Sequence, residues 1–250
     1  MPPFYIRDAG ASSHAQDAQF IVDAFDSAIP HLTAAGSAGQ WGSEPLSRNP
    51  NFHTVIRDAL LQSEKFRDTG LGEERVRVFV AEVEVDSTVD GPSAATLDDN
   101  LESENSPEAV DRLQLARRLH QESGKTFLSV GAAKLRDDSF ANHVLYPDNL
   151  RTHTDAATKA GSFVFLDFLV ADHRVLGERR KGAGGALIDR VKQYAMQHGK
   201  RTIWVDCWAG GSGRLVQYYQ DMGFTLVEKF EVPRRDSTMW QGNLFRMDVA

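Results

Sequence analysis

The chain has 250 residues, 41% of them apolar, and a formal net charge of −7. This suits one large domain, residues 1–250, with a proper core, and makes nucleic acid a poor default partner. No apolar run approaches the ~20 residues of a membrane helix, residues 1–10 carry no secretion signal, and the lone Cys207 excludes an internal disulfide, so a soluble cytoplasmic protein is expected.

Taken in order, "FYIRDA" from Phe4 reads as a short first strand. The stretch from Ser12 to Gly36 places Phe20, Ile21, Ala24, Phe25, Ala28 and Leu32 at three-and-four spacing, which predicts an amphipathic helix that Pro30 could kink or shorten. A loop holding Trp41 follows, and then a second helix from Phe52 to about Asp68. Arg75–Val85 alternates strictly and predicts a strand. Between Asp86 and Asp111 there are eight acids and no Lys or Arg. Residues 86–107 have too few large apolar groups to order themselves and are expected as a disordered or loosely held insertion. A short helix is expected from Pro107 to Gly124, and then a strand, Lys125–Asp137, paired as a hairpin with Arg75–Val85.

The nearly continuous apolar run Ser162–Asp172 predicts a central buried strand. After it come a helix from Gly177 to about His198 with Gly199 at its C-terminal end, a strand (Arg201–Cys207), a helix around Leu215–Met222 and two closing strands. The strand–helix–strand–helix order in the middle requires part of the sheet to be parallel.

The chemistry concentrates where that helix begins. Arg179, Arg180 and Lys181 precede Gly182, Ala183, Gly184 and Gly185. A first helical turn offers unpaired N–H groups and the positive end of the dipole, and glycines let an anion approach the backbone. Cations are tolerable there when a ligand brings the negative charge, so the segment reads as a pyrophosphate cradle. It lacks the spacing of a Walker A loop, and Leu187 stands where a dinucleotide fingerprint needs its third glycine.

Arg179-x-x-Gly182-x-Gly184 resembles the [RQ]-x-x-G-x-[GA] signature of the GNAT superfamily of acetyl-CoA-dependent N-acetyltransferases, and "LVQYYQDMGF" resembles that family's Y-x-x-x-G-F segment, with Tyr219 on the tyrosine. The resemblance covers Phe163–Phe224 most specifically. Asp172 replaces a usual Pro, the loop before Arg179 is longer, and Ser212 stands for a frequent cofactor-contacting Asn.

The resemblance implies a mixed, mostly antiparallel α/β (α+β) sheet flanked by helices, and acetyl-CoA as co-substrate with no metal. It also implies a V-shaped opening between Phe163–Val170 and Arg201–Cys207. Backbone groups of Leu169 and Val170 would hold the pantetheine and polarise the thioester, and Arg179–Gly185 with Ser212 and Tyr219 would complete the cofactor site. An amine would attack directly, with Tyr219 as the acid and Asp167 or Asp206, each interrupting an apolar strand, as the base. A water chain alone is the other option for the base. Tyr218 reads as the core member of the tyrosine pair, and Cys207 as a small core residue. Trp41, Trp208, Asp167 and Asp206 would face the acceptor. His31, His53 and His173 show no metal-ligand spacing. A small-molecule amine is the expected partner of a monomer or homodimer. Protein or peptide acetylation, and a non-catalytic acyl-CoA sensor, are the alternatives.

Overall fold

The computed structural model describes residues 3–11, 16–85, 115–234 and 238–249. The acidic stretch 86–107 lies outside them, as does the first part of the helix expected from Pro107.

The elements are β1 (Phe4–Asp8), α1 (Asp17–Ala34), α2 (Phe52–Thr69), β2 (Val76–Val85), β3 (Arg117–His120), β4 (Lys125–Asp137), α3 (Asn142–Leu145), α4 (Arg151–Ala160), β5 (Phe163–Ala171), α5 (Gly177–Arg180), α6 (Ala183–Gln197), β6 (Thr202–Trp208), α7 (Arg214–Asp221), β7 (Thr225–Pro233) and β8 (Met239–Asp248). One sheet runs β1-β2-β4-β5-β6-β8-β7, with β3 paired to β4 off this path. Every pair is antiparallel except β5–β6. This is the expected mixed, mostly antiparallel sheet, and β2 and β4 form the expected hairpin.

Two expectations need correction. Residues Arg117–His120 are a strand, not a helix, because β5 leaves the edge of β4 at Gly131 and β3 takes up the free edge, with Arg117 opposite Leu128. The single helix expected from Gly177 is two: α5 ends at Arg180, Lys181 is extended, and Gly182, at φ 98°, turns the chain into α6. Gly199, at φ 65°, does follow the end of α6 in the left-handed region. Pro30 sits inside α1 without ending it.

Both faces of the sheet are covered. On one, α6 and α7 pack Leu187, Val191, Tyr194 and Tyr219 against Val83, Leu135, Val164 and Leu166. On the other, α1 and α2 cover Val78, Val80, Ala132 and Val170, while α3, with Phe140, covers Phe163, Phe165 and Trp204. The double cover explains why β5 is apolar almost throughout.

Candidate active site

The opening in the sheet begins at the two strand carboxylates. Parallel pairing of β5 with β6 runs from Phe163↔Thr202 to Leu166↔Val205 and stops, although both strands continue. The cause lies in β5. Lys134 pairs with Phe168 and Leu135 with Leu166, so Asp167 is an extra residue, a β-bulge that bends the strand away. Beyond it, β5 still pairs with β4 up to Ala171, while among the described residues no strand pairs with its other edge. The backbone of Leu169 and Val170 therefore lies along an edge with room for an extended ligand.

A cleft of about 510 Å³ occupies this split. Asp167, Asp206, Leu169, Tyr219, Trp41 and Trp208 all line it, whereas Val170, Ser212 and residues 179–185, also singled out from the sequence, do not. A wider hollow of about 940 Å³ near Asn149 and Lys229 contains none of them.

The two carboxylates differ. Lys134 Nζ and Arg136 Nε each stand 2.9 Å from Asp167 Oδ2. Burial works against the Asp167 charge, but Lys134 and then Arg136 hold its pKa below the usual carboxylate range. A carboxylate committed to two cations is a poor proton acceptor. Asp206 instead accepts a hydrogen bond from His143 Nε2 at 3.1 Å. Burial alone would lower the His143 pKa, yet the hydrogen bond and charge of Asp206, with the charge of Asp167, raise it above the ordinary value. With Nε2 donating to Asp206, Nδ1 remains to take a proton, the logic of an imidazole oriented by a carboxylate. Sequence reasoning missed His143 because only the folding of α3 over β6 brings it to Asp206, 63 positions away.

Tyr219 is 5% exposed, and its burial, with Cys207 and Tyr218 nearby, pushes its pKa well above the ordinary phenol value. It therefore stays protonated and remains a donor. The expected division between the two tyrosines is reversed: Tyr219 is the more buried and yet lines the cleft, while Tyr218 is half-buried beside the glycine turn. Cys207 is buried, and its thiol is pushed up to about 12 by burial and by Asp206, as suits an inert core residue.

The glycine turn has no side-chain cap, which leaves the first N–H groups of α6 available to a ligand. A Cβ at Gly184 would stand 2.6 Å from the Tyr218 hydroxyl and 3.6 Å from Leu169 Cδ2. Gly184 is thus required by the packing of α7 against α6, not only by the approach of an anion. The Tyr218 hydroxyl is itself buried and without a hydrogen-bond partner. Ser212 is exposed in the turn before α7 and does not line the cleft.

The acceptor side of the cleft is held by aromatic groups. Trp41 packs edge-on against Phe25 at 4.7 Å, which joins it to the core while it lines the cleft. The Trp208 ring passes between Gly39 and Gly210, where added Cβ atoms would fall 2.2 and 2.3 Å from it. Trp240 Nε1 donates to the Gln40 carbonyl at 3.2 Å, and Arg234 donates to that of Gly39. The connection between α1 and α2 is thereby pinned over the split strands. Among the described residues no helix is long and apolar enough to cross a membrane, and no group of three His, Cys, Asp or Glu side chains could hold a metal ion.

A sheet split at a bulge, with an uncapped glycine turn after the split strand, defines a class of α/β fold. No protein-family model matches the chain, and no curated protein sequence does. Solved structures do match. A protein described as a GNAT-family acetyltransferase from Desulfovibrio desulfuricans aligns at TM-score 0.51 and 12% identity, covering 99% of this chain and 100% of that one. An N-acetyltransferase from Staphylococcus aureus Mu50 aligns at 0.51 and 15%, covering 99% of each. A Salmonella typhimurium protein, solved with acetyl-CoA as its cofactor, aligns at 0.50 and 14%, covering 99% and 94%. The chain has the GNAT fold.

Proposed function

We propose that the protein is an acetyl-CoA-dependent N-acetyltransferase acting as one domain on a primary amine of a small molecule. The observation that carries this reading is the split of β5 from β6 at Leu166 and Val205, which lines Tyr219, Asp206 and Asp167 along one cleft.

Acetyl-CoA, when bound, supplies an activated acetyl thioester. Its phosphates would be held by the first turn of α6 with Arg179, Arg180 and Lys181, and its pantetheine by the free edge of β5 at Leu169 and Val170. The Tyr218 hydroxyl stands between these two regions and would gain a partner.

His143 Nδ1 removes a proton from the acceptor ammonium, while Asp206 holds the imidazole and balances its charge. The freed amine nitrogen bonds to the acetyl carbon as the bond to sulfur breaks. Tyr219 Oη gives its proton to the sulfur and is reprotonated through solvent, to which the acetylated nitrogen releases its second proton. Asp167 fixes Lys134 and Arg136 at the bulge and does not itself move a proton. The carboxylates and the walls of Trp41, Trp208 and Trp240 suit a cation with an apolar body.

The test is release of CoA thiol from acetyl-CoA with a panel of small amines and peptides. Acetylation of small amines is expected. Tyr219→Phe should slow turnover at least ~tenfold while leaving acetyl-CoA affinity nearly unchanged, because a proton given only in the transition state affects rate and not ground-state binding. Tight binding of CoA without turnover of any amine would make the protein a binding module, and turnover of peptides alone would move the acceptor class. Full activity in Tyr219→Phe would leave solvent as the proton donor.

A further inference from the structure

The loop between β5 and α5 carries a second group of basic side chains outside the cleft. His173 stacks on His31 of α1, with ring centroids 4.1 Å apart and planes at 30°. The His173 backbone N–H donates to Ser27 Oγ, also on α1, at 2.8 Å, which fixes the residue in place. Burial, then the charges of Arg180 and of His31, act against protonation of its ring. Two nitrogens here, His173 Nδ1 and Arg180 Nε, are buried and have no hydrogen-bond partner.

The nearby carboxylates do not complete them. Asp172 is wholly buried, and Arg174 takes both its oxygens, through Nε at 3.0 Å and Nη2 at 2.8 Å. Arg174 is held in turn by Asp23 of α1 at 2.8 Å. Among the described residues, the charged and titratable groups that act on His173 are Arg180 on α5, His31 on α1, and Asp172, with its bound Arg174, in the loop. Arg180 stands two residues before Gly182, the turn into α6. Arg180 Nε is a buried donor without an acceptor, and His173 Nδ1 is one whenever the ring is protonated; an anion placed there gives both a partner.

We propose that His173 and Arg180, with His31 stacked behind, form a proton-coupled wall of the phosphate site: a phosphate of the cofactor completes the two buried nitrogens, and His173 takes a proton from solvent as the anion binds. The inference rests on the assignment of the glycine turn as the cofactor's cradle. In the free protein burial, then Arg180 and His31, lower the His173 pKa to about 4, so the ring is neutral near pH 6. A bound phosphate reverses that balance, since an adjacent anion favours the imidazolium.

The ligand phosphate could be the pyrophosphate or the 3′-phosphate, and CoA and dephospho-CoA separate them. Calorimetric titration of each at pH 6, in two buffers of different ionisation enthalpy, counts the protons taken up. The parent should take up protons that His173→Asn and His173→Gln do not. Its affinity should rise by up to ~tenfold for each pH unit lowered above the free His173 pKa, a dependence absent from the variants. A His173-dependent uptake with dephospho-CoA assigns the pyrophosphate, and one with CoA alone assigns the 3′-phosphate. Arg180→Gln should move the free His173 titration, read by NMR, upward from about 4. Binding with equal uptake in the parent and both His173 variants would overturn the inference and leave the cradle standing. No binding to the parent at any pH would remove both.

Discussion

Buried charge is handled in opposite ways at the β1–β2 side of the sheet and at the glycine turn. Glu82 of β2 is wholly buried, and both its oxygens are taken, by Arg7 Nε at 2.6 Å and Arg118 Nη2 at 2.6 Å. Arg7 also forms a two-pronged pair with buried Asp17, which accepts the Gly10 N–H as well. Around the turn, His173 Nδ1, Arg180 Nε and the Tyr218 hydroxyl are buried with nothing to bond to. Burial without a partner is costly, and Arg77 Nε of β2, Ser129 Oγ and Asn243 Oδ1 share that state elsewhere in the sheet, so it is the Glu82 cluster, not the whole β1–β2 side, that contrasts with the turn. Under the proposed function, the groups at the turn would gain a partner from the ligand, while the Glu82 cluster serves the fold alone.

Four substitutions break or sharpen this contrast. Glu82→Gln should destabilise the protein by about 3 kcal/mol, the low end of the ~3–5 expected for removing one partner of a buried ion pair, because Arg7 and Arg118 keep some exposure. Chemical denaturation measures this, and CoA affinity of the folded variant should not change. A loss of affinity together with stability would blur the separation.

Asp206→Asn should act on the pH profile. His143 must be neutral to accept a proton, so the rate rises with pH through its pKa, and Asp206 holds that pKa up. The variant's acidic limb should therefore move to lower pH, with a lower plateau. Asp167→Asn should move it less, since Asp167 acts on His143 only through its charge. An unmoved limb in Asp206→Asn would take His143 out of the mechanism.

Tyr218→Phe has the smallest expected effect and the most specific. Removing an unpartnered hydroxyl should leave the thermal stability of the free protein unchanged or slightly higher, yet weaken CoA binding several-fold, about 1 kcal/mol. A drop in stability would show that the hydroxyl already has a partner.

Much of this was legible in the sequence. The alternation of Arg75–Val85 marks a strand, though β2 proves buried on both faces, Arg77 and Glu82 included; the nearly continuous apolar run of β5 states its own burial, and the glycine turn is legible in three residue types. What was not legible depends on position across the fold. Arg117–His120 has no two-residue apolar period, because it is a half-exposed strand whose existence depends on an edge of β4 left open by β5. Helices α3 and α4 bury few side chains of their own, Val144 in the first and Thr154 in the second, so no apolar face announces them. Asp167 and Asp206 looked alike as carboxylates in apolar strands. Only Lys134 and Arg136 on one side and His143 on the other tell them apart.

The bulge at Asp167 also shifts the phase of a strand. Before it, Val164 and Leu166 face α6, and Phe163 and Phe165 face the other way. After it the parity inverts: Leu169 faces the α6 side, and Phe168 and Val170 pack beneath α1 and α2. Side chains alternate with period two, so one inserted residue exchanges the two sides of everything downstream. Losing that single residue would therefore differ in kind from replacing it. A β5 shortened by Asp167 would keep Leu169 toward α6 and Phe168 and Val170 toward α1 and α2, because Leu166 and Phe168 already face successive residues of β4. What it would lose is the bulge itself, and with it the bend that turns β5 away from β6.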